Sequence, residues 1–367
     1  MLQAEMTDIF ETEGETAEIA AHVERGGRLD RDQALTLYEK ADLFLLGGLA
    51  HQARLKQADG QCVTYVVDRN INYSNICVCG CRFCAYFRPP GHEQGFVLSK
   101  EELARKIQET IDLGGNQILM QGGHHPDLNL EFYEEMLGFI KDNFPVHIHA
   151  FSPPEIVHFA EISGLSVGRV LARLIRAGLD SIPGGGAEIL VDRVRRRVSP
   201  NKCGAGEWLA VMEEAHNQGL KTTATMMFGH EEETGDRIDH LLKLRELQDK
   251  TQGFTAFIPW TFQPKNTAID RSPQSSPSYL RLLALSRLVL DNFANIQASW
   301  VTMGPKIAQL ALYFGANDFG STMIEENVVR AAGVGFRLSE QEIRSIIRAA
   351  GFRPLRRTMY YTPYDPD

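Results

Sequence analysis

The stretch VTYVVDRNINYSNICVCGCRFCAYFRPPG, residues 63 to 91, decides the architecture. Its opening run VTYVVDR (63–69) is rich in β-branched and aromatic residues and predicts a strand. A few residues later, four of the chain's six cysteines fall within positions 77 to 84. A reactive loop directly after a strand is where an α/β barrel carries its chemistry, so the neighbouring sequence has to be read for further strand–helix units.

Such units continue to the end of the chain. Further strands are predicted at QILMQ (117–121), VHIHAF (146–151), LDSI (179–182), TTATMMF (222–228), FTAFIPW (254–260) and QASWVTM (297–303). Amphipathic helices are predicted between them at 99–113, 131–144, 206–218 and 277–293. Several of the strands are almost wholly apolar, as expected when protein covers both sheet faces. Strand then helix, repeated at least six times, predicts a parallel sheet with right-handed crossovers, closed or partly closed into a (βα) barrel of the TIM type. Residues 16 to 58 read as helices. Ala34, Leu37, Tyr38, Ala41 and Leu45 make one apolar face that ends at Gly47-Gly48. The predicted division is an N-terminal helical extension, 1–58, and a barrel with its C-terminal completion, 59–367. No Pro/Gly/Ser-rich linker, internal repeat or low-complexity tract interrupts it.

The 367 residues carry a formal charge of −9, with 43% hydrophobic and 23% charged residues. This balance suits a globular protein with a substantial core and argues against general binding to nucleic acid or an anionic membrane. The run RVRRR (193–197) reads as a solvated helix face. The acidic opening MLQAEMTDIFETEGE lacks the pattern of a signal peptide, and LFLLGGLA (43–50) is too short to span a bilayer. Clustered cysteines without an export signal point to a reducing cytoplasm, where they more often bind metal or do redox chemistry than form disulfides.

Three readings of the cysteines compete. A structural zinc site would use all four, yet four ligands within eight residues tie no distant segments together. Cys77-x3-Cys81-x2-Cys84 can instead hold a 4Fe-4S cluster by three thiolates, leaving one iron open for chemistry. Cys79 as a fourth ligand would close that cluster and leave a non-catalytic electron-transfer protein. Cys62 and Cys203 read as core or loop cysteines.

Other motifs cluster at predicted strand ends. Gly122-Gly123 in QGGHHPDL is either a turn or a place where a ligand approaches the backbone. His124 and His125 beside it are pocket residues or satisfied loop histidines. His147 and His149 alternate on one strand face and raise a rival reading as a hydrolase metal pair. Ser152 and Glu155 can bind a ligand, or Ser152 can cap a helix begun by Pro153-Pro154. SIPGGGAEIL (181–190) offers a phosphate cradle or a turn beneath a packed ligand, with Glu188 favouring a helix start. GANDFGSTMIEE (315–326) places Asn317 on a probable pocket-side loop.

Together NICVCGCRFCAYFRPPGHEQGFVLS, QGGHHPDL, HIHAFSPPEI, GLDSIPGGGAEIL, FIPWTFQPKNT and GANDFGSTMIEENV resemble the radical S-adenosylmethionine enzymes of the futalosine route to menaquinone, relatives of the enzymes that build the deazaflavin chromophore. The resemblance runs from about residue 26 to the end. QGGHHPDL followed by HAFSPPE resembles the cyclising branch; the sister branch, aminofutalosine synthase, adds an adenosyl radical to its substrate. Cys79 departs from the family pattern.

The resemblance implies a 4Fe-4S cluster on Cys77, Cys81 and Cys84, with S-adenosyl-L-methionine on the open iron. It implies Phe83 and Tyr86 beside the adenine, Gln121, Gly122 and Gly123 at the amino group, and Ser152 and Glu155 near the ribose or carboxylate. From placement alone, Arg88, His149, Glu188 and Asn317 are expected at the substrate. The implied reaction starts with cleavage of the sulfonium by one electron from a donor such as flavodoxin or ferredoxin. The 5′-deoxyadenosyl radical then takes the ribose C4′ hydrogen of dehypoxanthine futalosine. Ring closure onto the benzoate follows, with loss of one electron and one proton.

Overall fold

The computed structural model describes residues 14–57 and 60–364. The acidic opening stretch up to residue 13 and the 58/59 boundary lie outside the described residues. Among the described residues ten strands form: β1 Cys62–Val66, β2 Asp68–Asn72, β3 Gln117–Gln121, β4 His147–Ala150, β5 Ser181–Ile182, β6 Lys221–Phe228, β7 Phe254–Thr261, β8 Asn295–Ile296, β9 Asp318–Ser321 and β10 Arg353–Arg356. Strands β2 to β8 pair in sequence order as a seven-stranded parallel sheet, and β10-β1-β9 form a second, three-stranded parallel one. A bridge between Gln297 and Asp318 links the end of β8 to β9. The result is a seven-strand barrel arc whose gap is spanned by a small sheet.

VTYVVDR therefore makes two strands, which break at Val67 and pair in different sheets. QASWVTM is not a strand: β8 is finished at Ile296, and Trp300–Met303 forms one helical turn. Gly304 at φ +79° and Pro305 then end that turn and start the next helix. The turn buries the Trp300 ring and points its Nε1 at the Ser321 carbonyl, 3.0 Å away. The four predicted crossover helices form at Lys100–Asp112, Leu130–Asn143, Ala205–Asn217 and Ser276–Val289. The first is fixed by a capping box between Ser99 and Glu102.

In the N-terminal region, helices Glu15–Glu24, Arg31–Lys40 and Leu43–Leu55 form. The apolar face is interrupted at Ala41, and Gly47-Gly48 lie inside the third helix rather than ending it. A Cβ on Gly47 would stand 2.7 Å from the Phe314 ring, so the glycine is a contact point. Among the described residues no helix is long and apolar enough to cross a membrane.

Within RVRRR, Arg196 and Arg197 are exposed, but Arg195 is buried. Its guanidinium donates to the carbonyls of Cys203, Gly186 and Ala187 at 2.7 to 3.0 Å, fastening the loop after β5.

Two core histidines are held neutral. His216 lies 2.7 Å from both Thr251 Oγ1 and Thr222 Oγ1, and burial lowers its pKa to about 4. His240 Nδ1 accepts from the Leu190 amide at 2.9 Å, and burial lowers it to about 3. Both folded values lie below the ordinary 6.5. The unfolded chain therefore binds more protons as pH falls below that value. Stability should be intact above pH 6.5 and decline toward pH 4, by about 1.4 kcal/mol per pH unit for each histidine. Urea unfolding at pH 7 and pH 5 checks this; equal midpoints would contradict it.

Candidate active site

The loops after β2, β3, β4 and β5 meet at the C-terminal end of the arc. Glu155 joins three of them. Its Oε1 accepts from Tyr73 Oη at 2.6 Å and from the Gly122 amide at 3.0 Å; its Oε2 accepts from the Ser152 amide and hydroxyl, both at 2.7 Å. Burial pushes the Glu155 carboxyl up, while these four donors pull it back. Ser152 caps helix Pro153–Ser163, as its two prolines suggest. Both oxygens of Glu155 are engaged by protein donors, and through them it positions Gly122 and Ser152. Phe151, just before, takes φ +61°, a strained value for a non-glycine residue at a strand end.

The glycines serve close approach. A Cβ on Gly123 would lie 2.1 Å from the Ile76 carbonyl oxygen and 2.7 Å from the Cys77 Cβ. On Gly122 it would strike the Tyr73 ring at 2.3 Å, and on Gly185 the Gln121 Nε2 at 2.2 Å. The cysteine loop thus sits directly on the end of β3.

Within that loop, the Cys77 sulfur faces the amides of Cys79 at 3.4 Å and His124 at 3.3 Å. The neighbouring Cys79 thiol, with these amides, lowers the Cys77 thiol to about 6. Cys79 likewise lowers Cys81, and burial raises Cys84. Cys79 is 1% exposed; its sulfur lies 3.7 Å from the Asn201 carbonyl and also faces the thiols of Cys77 and Cys81. Among the described residues no three His, Cys, Asp or Glu side chains converge as ligands of a single ion. Thiolates of a cubane need no such convergence, because each takes a different iron. Three thiols on one loop, with amides aimed at sulfur, fit such a cluster in chemistry and spacing.

Phe83 packs in a small apolar cluster of Val198, Met227, Phe262, Ile269 and Trp260. Lys202 lies over its ring at 5.2 Å and pairs with Glu188 at 3.0 Å. Tyr86 is half-buried, and burial raises its hydroxyl to about 12. His124 stacks on His158 with ring centroids 4.8 Å apart.

Behind the loops lies an interior cavity of about 250 Å³. Gln121 and Gly185 belong to both the loop cluster and the cavity wall, and His149 lines the cavity. Three expected substrate residues do not. Arg88 spends its guanidinium on the carbonyls of Ala85, Tyr86 and Phe87 and on Gln94, bracing its own loop. Glu188 starts no helix: it takes φ +42° and is buried against Lys202 and Arg195. Asn317 lies at the opposite strand ends, bonded to Arg287 and the Ile296 amide.

Sequence reading missed Asn70, Gln117, Asp68, Glu326, Trp260, Trp300 and Arg357, which line the cavity. The signal was the alternation of Asp68, Asn70 and Asn72, polar groups at strand period facing one side. Asn70 Nδ2 donates to Glu326 and Gln117 Nε2 to Asp68, at 2.8 and 2.7 Å. Their buried carbonyl oxygens, Asn70 Oδ1 and Gln117 Oε1, have no hydrogen-bond partner.

A parallel barrel arc with a thiol loop packed on its strand ends is the frame of a radical S-adenosylmethionine enzyme. The comparisons agree. Residues 71–245 match the radical SAM superfamily, and residues 251–366 match the CofH/MqnC C-terminal region. The chain is 48% identical to cyclic dehypoxanthine futalosine synthase of Halalkalibacterium halodurans, over 92% of this chain and 91% of that one. It is 44% identical to the enzyme of that name from Streptomyces coelicolor, over 92% and 86%. It is also 42% identical to 5-amino-6-(D-ribitylamino)uracil--L-tyrosine 4-hydroxyphenyl transferase of Methanopyrus kandleri, over 94% of both. The fold matches the FeFe-hydrogenase maturase HydG from Carboxydothermus hydrogenoformans, with a TM-score of 0.75 at 18% identity, covering 94% of this chain and 80% of that one. It also matches methylornithine synthase, with a TM-score of 0.67 at 20% identity, covering 92% and 97%. The chain belongs to the radical SAM superfamily, in the group that carries the CofH/MqnC C-terminal region.

The contact at Gly123 makes a direct prediction. Gly123→Ala should push the Cys77 segment off β3 and cut bound iron after anaerobic reconstitution to less than half. Gly138→Ala, which meets nothing within 4 Å, should leave it unchanged. Iron and sulfide assays check both; full iron in Gly123→Ala would contradict the prediction.

Proposed function

We propose that this chain cyclises dehypoxanthine futalosine in menaquinone biosynthesis. The observation that carries this reading is the 48% identity, over 92% of the chain, to a protein named for that reaction. Cys77, Cys81 and Cys84 would hold a 4Fe-4S cluster, and Cys79, facing the Asn201 carbonyl, would stay outside the ligand set. With S-adenosyl-L-methionine bound, that centre supplies a 5′-deoxyadenosyl radical when reduced. Phe83, Tyr86, Gln121, Gly122, Gly123 and Ser152 would surround the cofactor, with Gly122 and Ser152 braced by Glu155.

The cavity does the rest. Asn70 Oδ1 and Gln117 Oε1 take hydroxyl donors of the ribose, which fixes C4′ against the cofactor side. Trp260, Trp300, Ile258 and Met359 form apolar wall that keeps water from a reactive carbon centre. His149 faces the same space. A low-potential carrier of the flavodoxin or ferredoxin type would deliver the electron. The clustered Cys77, Cys79, Cys81 and Cys84 form no disulfide, which fits a reducing cytoplasm.

The test is an anaerobic assay with substrate deuterated at C4′. The expected product is two hydrogens lighter than the unlabelled substrate, and deuterium appears in 5′-deoxyadenosine. An adenosyl group retained in the product would instead indicate the aminofutalosine reaction. The 42% identity to the archaeal transferase makes a second reading specific: turnover of tyrosine with the aminouracil, and none of dehypoxanthine futalosine, would replace the proposal.

Cysteine variants test the ligand set. Cys81→Ala should lose iron and turnover, whereas Cys79→Ala should keep both. Loss of the metal in Cys79→Ala would mean a closed four-thiolate site.

A further inference from the structure

Cyclisation sheds one proton inside a cavity that has to stay dry, and the cavity's carboxylates offer it no way out. Asp68 is held by Ser321 and Gln117, and Glu326 by Asn70 and the amides of Val328 and Val329. Arg357 is paired with Asp318. His149 is differently placed. It lines the cavity, and its Nδ1 lies 2.7 Å from the hydroxyl of Ser181, its register partner on β5. The same hydroxyl lies 2.7 Å from Nε2 of His147, two residues earlier on β4. His149 and Ser181 are buried, while His147 is partly exposed at the start of its strand, edge-on to the Tyr360 ring at 5.2 Å. Among the described residues nothing hydrogen-bonds His149 Nε2. An imidazole–hydroxyl–imidazole chain therefore runs from the cavity to the barrel floor.

Resting on the cyclase reading above, we infer that His149, Ser181 and His147 form the exit for the proton released on ring closure. The C–H bond at the closing ring carbon breaks, and its electron pair stays in the ring. The proton forms an N–H bond at His149 Nε2. The unpaired electron passes to a one-electron acceptor of the iron–sulfur or flavin carrier class, which restores aromaticity. His149 Nδ1–H then donates to Ser181 Oγ, whose own proton moves to His147 Nε2 and on to solvent from His147 Nδ1. Burial, with His147 and Arg357 nearby, holds His149 well below its ordinary pKa. It thus hands a proton on instead of storing it. His147 is lowered to about 4 by burial, with Asp180 raising it and Lys141 lowering it. His149 touches substrate and is catalytic; Ser181 and His147 act through it.

Ser181→Ala and His147→Gln in the reconstituted full chain test this. Both should still move C4′ deuterium into 5′-deoxyadenosine. Cyclised product per 5′-deoxyadenosine should fall about a hundredfold, the scale of general acid–base catalysis. A second measurement needs no cofactor: histidine ¹⁵N NMR should show the Nδ1–H tautomer at His149, and Ser181→Ala should disturb it. Wild-type product ratios in both variants, or an Nε2–H tautomer at His149, would overturn the relay. If Ser181→Ala does not fold, His147→Gln at the partly exposed end decides alone. Absence of deuterium transfer in the wild type would overturn the cyclase reading, while the tautomer would still judge the relay's geometry.

Discussion

One buried carboxylate, Glu155, holds the reactive end of this barrel together. A carboxylate without a cationic partner is costly inside a protein unless hydrogen bonds replace its water. Here the replacements come from the residue after β2, the end of β3 and the cap after β4: Tyr73, Gly122 and Ser152. Removing any donor would leave an acceptor unpaired at a cost of about 1–3 kcal/mol, so the three strand ends are coupled energetically. The strained backbone at Phe151 sits beside this knot and is held by it.

Close approach is the second constraint, and it follows from the first. With Tyr73 and Gly122 drawn onto one carboxylate, the cysteine loop lies too near β3 for any side chain at 122 or 123. Glycine is required there by protein contacts before any ligand is considered. On its other side the loop is bordered by the apolar group around Phe83 and by the Lys202–Glu188 pair, itself braced by Arg195. The Lys202 ammonium helps to lower Cys81, after the larger effect of the Cys79 thiol.

Elements whose structure is set locally were legible in the sequence. Continuous apolar strands such as QILMQ, and capped helices such as the one after Ser99, carry their structure locally. β9 and β10 do not. The first is DFGS; the second contains Pro354, tolerated because β10 is an edge strand of the small sheet. The cysteine spacing and its family resemblance were readable because a single loop bears them. Arg88, Glu188 and Asn317 do not line the cavity, because a polar side chain near a motif can satisfy protein atoms as readily as a ligand. Asn70 and Gln117 were overlooked because only the folded barrel shows that their amide hydrogens are used and their oxygens are not.

The two ends of the barrel then have opposite requirements. A carbon radical must be kept from water at the mouth, but a seven-strand arc cannot enclose a cavity by itself. The chain closes the gap with its own C-terminal part. Arg357 pairs with Asp318 of β9, and the Arg357 guanidinium lies 4.0 Å over the ring of Tyr361; both residues line the cavity. Burying this ion pair is tolerable because Arg357 engages both oxygens of Asp318, at 2.5 and 3.1 Å. The floor is thus polar, built on the Arg357–Asp318 pair, while Trp260 and Trp300 give the cavity an aromatic wall. A proton that must leave a water-poor cavity moves along fixed hydrogen bonds, and the two histidines that share the Ser181 hydroxyl are where the barrel provides them.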